Sequence, residues 1–147
     1  MSKNRALLLG TLAVAAIALS GGKPVAQEKE KSAGGDARVF EMRTYYAAEG
    51  KLADLQKRFR DHTTALFQKH GMTNVGYWTP QDDKDGKGTK LVYLLAFPSR
   101  EAAKKAWADF QADPEWQKAR AASEVNGKLV DKVESVFLDP TDYSPIK

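Results

Sequence analysis

Cysteine is absent from all 147 residues, which excludes disulfides, thiolate nucleophiles, cysteine metal ligands and lipid attachment at a cysteine. Such a chain is compatible with an oxidising compartment without requiring one. Histidine occurs only as His62 and His70, so few imidazoles are available for proton transfer near neutral pH. An excess of one charge is lacking too: 23 basic residues face 19 acidic ones, interspersed rather than gathered in a basic stripe. No nucleic-acid footprint is present. Long apolar runs are missing except for Ala6 to Leu19. As a helix that run would reach about 21 Å, short of the roughly 30 Å hydrocarbon core, so a permanent membrane span is not expected.

What is there begins with Lys3 and Arg5 before this run and Ser20, Gly21 and Gly22 after it. The charged, apolar, small order is that of a secretory signal. Residues 1–20 are therefore predicted to direct export, with cleavage after Ser20 or Gly22, to a periplasmic or secreted location. Residues 21–37 are rich in Lys, Glu, Gly and Ser and carry almost nothing to bury, which predicts a disordered linker. Residues 38–147 have the length of one core and not of two.

Arg38 to Tyr46 is rich in aromatic and β-branched residues and reads as a strand. From Gly50 to His70, Leu52, Leu55, Phe59, His62 and Leu66 recur at steps of three and four, predicting an amphipathic helix that Gly71 ends. Thr73 to Thr79 and Lys90 to Phe97 read as strands joined by the polar loop Pro80 to Gly88. Ser99 is placed to cap a helix reaching about Ala112, and Asp113-Pro114 to start a short second one. Asn126-Gly127 turns the chain into a last strand, about Lys128 to Leu138. The order βαββαβ is α+β and ferredoxin-like: a four-stranded antiparallel sheet with two helices on one face.

Within the third strand Leu91, Tyr93, Leu95 and Phe97 on one side are matched by Val92, Leu94 and Ala96 on the other. A sheet with one wet face should alternate with polar residues. Both faces are expected to be covered, one by helices and the other by a second copy of the chain, giving a homodimer. The plainer alternative is an over-apolar central strand in a monomer.

The segments Phe40-Glu41-Met42-Arg43-Thr44-Tyr45, Gly50-Lys51-Leu52, Phe59-Arg60-Asp61-His62, Lys69-His70-Gly71, Val75-Gly76-Tyr77-Trp78, Asp113-Pro114-Glu115-Trp116 and Asp139-Pro140 with Ser144-Pro145 follow one another in order. Together they resemble the NIPSNAP family across Arg38 to Lys147. The resemblance implies the dimeric α+β-barrel form of the ferredoxin-like plan, but no agreed chemistry. Eukaryotic members are associated with mitochondria and organelle turnover, from which the export signal departs. It points instead to a bacterial relative acting outside the cytoplasm. Relatives on the wider plan include cofactor-independent monooxygenases, haem-degrading enzymes and isomerases, an analogy of fold alone.

Glu41, Arg43 and Tyr45 stand at i, i+2 and i+4 of the first strand and so share one face. They could bind a carboxylate or phenolate, with Tyr45 as donor. The alternative is a structural ion pair at a dimer interface or sheet edge. His62 is in phase with Phe59 and Leu66, hence directed at the sheet, and is the candidate general base or axial ligand. A satisfied core histidine is the alternative. By strand placement Trp78 and Tyr93 are candidate partners for its second ring nitrogen, and they complete the candidate ligand-binding set. His70 lies about 12 Å further along the helix, so the two histidines cannot share a metal. Its place suits a helix C-terminus favoured by the dipole.

Asp82-Asp83-Lys84-Asp85-Gly86 resembles a calcium loop, but that loop's first and twelfth positions fall on Gln81 and Val92, so a solvated turn is expected. Gly86-Lys87-Gly88-Thr89 lacks the order of a phosphate loop. Trp107, Phe110 and Trp116 read as core. No metal or cofactor is expected. The leading expectation is an exported homodimer that binds a small molecule or acts as a scaffold. The alternative is a cofactor-independent monooxygenase or isomerase with His62 as base and Arg43 on an oxyanion, and a haem-binding variant is a third.

Overall fold

The computed structural model describes residues 38–147. The predicted signal and linker, residues 1–37, lie outside the described residues. Strands β1 (Val39–Ala47), β2 (Thr73–Trp78), β3 (Lys90–Phe97) and β4 (Val130–Leu138) form one sheet in the order β2-β3-β1-β4. Every pairing is antiparallel. This is the expected ferredoxin-like arrangement, with β1 and β3 central and every helix-facing residue of β3 from Leu91 to Phe97 buried.

Between β1 and β2 runs a single rod made of α1 (Leu52–Arg58), a π turn (Phe59–Thr63) and α2 (Thr64–Lys69). After β3 come α3 (Arg100–Ala112) and α4 (Pro114–Ser123). The Ser99 side chain accepts from the Ala102 N–H to cap α3, and Asp113 accepts from the Glu115 N–H to cap α4. Gly71 takes a φ of +78°, which lets the chain leave α2 in the left-handed conformation.

Leu55, Phe59, Leu66, Phe67, Ala103, Ala106 and Phe110 from the helices pack on Leu91, Tyr93, Leu95 and Phe97 of β3. Tyr93, Phe67 and Phe97 are wholly buried, each burial contributing roughly 2–3 kcal/mol before entropy is counted. On the opposite face of the sheet, Met42, Val136 and Leu138 are exposed, Val92 and Leu94 are half-buried, and no helix covers them.

The rod departs from the sequence expectation at one point. His62 is exposed rather than directed at the sheet. The Thr64 N–H donates to the Phe59 carbonyl five residues back, so this turn holds one residue more than an α-helical turn. The extra residue moves the inward position from His62 to Thr63, which is buried and donates its hydroxyl to the Arg58 carbonyl at 3.2 Å. Simple 3.6-residue periodicity cannot register such an insertion.

Candidate functional site

Glu41, Arg43 and Tyr45 share the helix-facing side of β1, opposite Leu95, Tyr93 and Leu91 of β3. Glu41 is only 2% exposed, and its carboxylate is saturated with donors. Arg43 Nη1 donates to Oε1 at 2.9 Å, Ser135 Oγ donates to Oε1 at 2.6 Å, and Trp107 Nε1 donates to Oε2 at 2.6 Å. The ion pair foreseen as an alternative therefore forms, but inside the sheet–helix layer rather than at a sheet edge. A buried carboxylate held this way is a fixed anchor for Arg43.

Arg43 lies with its guanidinium carbon 4.1 Å from the Trp107 ring centroid and 5.7 Å from that of Tyr45. Burial alone would lower its pKa, but the neighbouring Tyr93, Tyr45 and Glu41 outweigh this and raise it above the ordinary value. The cation is thus held charged in a largely apolar layer. Tyr45 packs edge-on against Tyr93 at 5.3 Å and Phe59 at 5.8 Å.

A second arginine arrives from the helix rod. Arg58 is 5% exposed, lies 5.1 Å from the Trp116 ring, and donates through Nη1 to Glu124 Oε1 at 3.0 Å. Burial would raise the Glu124 carboxyl, but hydrogen bonds from Arg58 and Arg120 hold it below the ordinary range. Arg43, Tyr45 and Arg58, with Trp107, Phe110 and Trp116, line a cleft of about 580 Å³ between the α3–α4 helices and the β4 side of the sheet. Its rim adds Arg120, Lys128, Lys132, Glu124 and Asp131. The volume falls within the range typical of small-molecule sites. Arg43 Nε and Arg58 Nε are both buried without a hydrogen-bond partner, as is the Tyr93 hydroxyl. Burial pushes that phenol's pKa well up, so it remains a neutral donor.

Of the predicted site residues Arg43 and Tyr45 line the cleft, Glu41 is buried beneath Arg43 and Tyr93 is packed behind Tyr45, whereas His62 and Trp78 lie outside it. His62 lines another recess of about 300 Å³, between the rod and α4, with Asp54, Lys57, Asp61, Ala119 and Ser123, and of the cleft's lining residues it shares Arg58. Trp78 is 55% exposed on the uncovered face, lying over Gly76, where an added Cβ would stand 2.5 Å from the indole. Tyr93 and Trp78 are accordingly not partners of His62. His70, the residue closing α2, meets Asp113 at 2.6 Å through Nε2. Lys69 reaches the same carboxylate at 2.9 Å. Hydrogen bonds from Lys69 and His70 hold the Asp113 carboxyl well below its ordinary value.

Sequence reasoning missed Arg58 and Glu124 and left Trp107 and Trp116 as plain core. A signal existed: Arg58 follows Leu55 by three residues, which puts a cation on the buried side of the helix. An indole N–H on a core face likewise needs an acceptor. Among the described residues no group of three or more His, Cys, Asp or Glu side chains could hold a metal ion, and no helix is long and apolar enough to cross a membrane.

Comparison with known proteins agrees with this architecture. The NIPSNAP family profile matches residues 40–145. A NIPSNAP family protein of unknown function from Agrobacterium tumefaciens superposes with a TM-score of 0.66 at 23% identity, covering 78% of this chain and 97% of that one. An uncharacterised NIPSNAP domain protein from Burkholderia xenovorans gives 0.61 at 26% identity, covering 73% and 98%. A cofactor-independent oxygenase from Streptomyces nogalater gives 0.50 at 16% identity, covering 74% and 98%, a likeness of fold alone. No curated protein matches the chain. With a buried Glu41–Arg43 anchor on the first strand of a ferredoxin-like sheet, and a family match over most of its length, this chain belongs to the NIPSNAP family.

Proposed function

We propose that this protein is an exported, homodimeric small-molecule-binding member of the family, taking its ligand in the cleft between the α3–α4 helices and the sheet. The observation that carries the reading is the cleft itself: about 580 Å³, walled by Tyr45, Trp107, Phe110 and Trp116, with the Glu41-anchored Arg43 lining it. A protein with no such use would gain by filling that volume with apolar side chains and dispensing with a buried ion pair. The second subunit covers the face carrying Met42, Val92, Leu94, Val136 and Leu138, which supports the dimer because monomers rarely expose so many contiguous apolar side chains. The order of charge, apolar run and small residues at the N-terminus supports export.

Native mass spectrometry of the protein purified from its own host, with fractionation of the cells, tests the three parts together. A dimer mass with a displaceable bound molecule, recovered outside the cytoplasm, is expected. A monomer carrying nothing overturns the binding reading and the dimer. The fold shared with the Streptomyces nogalater oxygenase keeps an enzymatic alternative in view, with Arg43 steadying an oxyanion. His62 as its base is not supported by the geometry, because that ring lies in another recess. Oxygen consumption on addition of the displaced molecule distinguishes turnover from binding.

A further inference from the structure

The sheet face that no helix covers is uneven. Phe40, Met42, Val92 and Leu94 all belong to it, yet Phe40 is buried while Met42 is exposed. The cover over Phe40 comes from the chain after β4. Residues 139–147 turn back as a strap, in which the Ser144 N–H donates to the Thr141 carbonyl at 3.0 Å and whose end is held by Arg38 Nε, donating to the Lys147 carbonyl at 2.8 Å. Between strap and sheet a recess of about 300 Å³ stays open, lined by Phe40, Leu94, Leu138, Pro140 and Ile146 together with polar residues of the strap.

Diagonally opposite on the same face stands Trp78. The register places it in the row of Val92 and Thr44, whereas Phe40 lies in the row of Ala96 and Thr73. Two strand spacings and four residues separate them, roughly 17 Å, so Trp78 cannot reach the recess of its own chain. Its indole lies over Gly76, where a Cβ would stand 2.5 Å from the ring, and more than half of the residue is exposed. The midpoint of the diagonal is Leu94, which pairs with Met42 and Gly76. Tyr46, Lys90 and Lys132 gather in the row beyond Trp78, away from the recess, where a contact centred on Leu94 leaves them at a wet rim.

Resting on the homodimer proposed above, we infer that each copy seats the other through Trp78: its exposed indole closes the recess beneath residues 139–147 of the second copy, twice, about a two-fold axis at Leu94. A large apolar ring without a socket and an apolar socket without a filler lie on one face, too far apart to meet within one chain. In an isologous contact residue i meets j and j meets i, so a single axis satisfies both corners and the assembly closes at two. Tryptophan is also a side chain on which binding energy concentrates at such contacts. The recess is complete only with the partner, which makes the strap part of the interface.

Sedimentation equilibrium of the full chain, of Trp78→Ala, of Ile146→Ala and of the two combined tests this. Both side chains are about half exposed in the single chain, so neither substitution removes core. The unaltered chain is expected as a dimer. Trp78→Ala should weaken association by about a hundredfold, about tenfold for each of two equivalent contacts, and Ile146→Ala should weaken it by less. Because the two side chains meet across the axis, the combined variant should be little weaker than Trp78→Ala alone, the non-additivity of residues in contact. A dimer that Trp78→Ala leaves unchanged overturns this inference while the dimer stands on other contacts. Full additivity of the two substitutions overturns the pairing of Trp78 with the strap. An unaltered chain that stays monomeric at micromolar concentration leaves the recess to an apolar ligand or another protein, and then both this inference and the dimer reading fall.

Discussion

Glu41 accepts from Arg43, Ser135 and Trp107 while almost wholly buried, so its loss would strand a cation and two neutral donors together. Breaking a buried pair from one side typically costs about 3 kcal/mol or more. Glu41→Ala should therefore lower the unfolding free energy by about 3 kcal/mol in urea titrations, whereas Ser135→Ala, which removes one neutral donor from an exposed strand, should cost about 1 kcal/mol or less. Tyr93 presents the opposite case. Its hydroxyl is buried with no partner, so Tyr93→Phe should leave stability unchanged or raise it by up to about 1 kcal/mol, measured in the same titration.

Among the elements, the junction of α2 and α4 depends on Asp113, which caps α4 and takes Lys69 and His70 from the end of α2. Its carboxyl is depressed in the folded state by those hydrogen bonds. A depressed carboxyl stabilises the fold fully above its unfolded value of about 3.9, and that contribution is lost as the pH falls through the folded value. The difference in Tm between the unaltered protein and Asp113→Asn should thus be greatest near neutral pH and shrink below about pH 4, as followed by circular dichroism. The π turn makes a different prediction. Since it holds one residue more than an α-helical turn and Arg60, Asp61 and His62 all point outward, deleting His62 should regularise the helix and leave the phase of Leu55, Phe59, Leu66 and Phe67 intact. Deleting Gln56 from α1 should instead rotate the apolar stripe off the sheet and abolish cooperative melting.

For the molecule as a whole, one face of the sheet is sealed by helices and the other is not. The proposed dimer places a second copy there, so Met42→Lys combined with Val136→Lys should convert dimer to monomer in sedimentation experiments at micromolar concentration, because like charges would meet across the contact. Survival of the dimer would move the interface elsewhere. The cleft lies on the helix-covered side, so ligand binding should persist in that double variant.

Periodicity, caps and glycines were enough to lay out β1 to β4, the helix rod and α3 in order, since these depend on local patterning and on the few residues able to start or stop a helix. That Glu41, Arg43 and Tyr45 share a face also follows from the sequence, because strand side chains alternate with a period of two. Only the tertiary structure decided what they face. The π turn displaced His62 by a single residue, and the placing of Arg58 against α4 and of Trp107 against β1 depended on packing between segments some sixty residues apart in the chain. A cleft lined by both arginines is a property of that packing, and no local pattern encodes it.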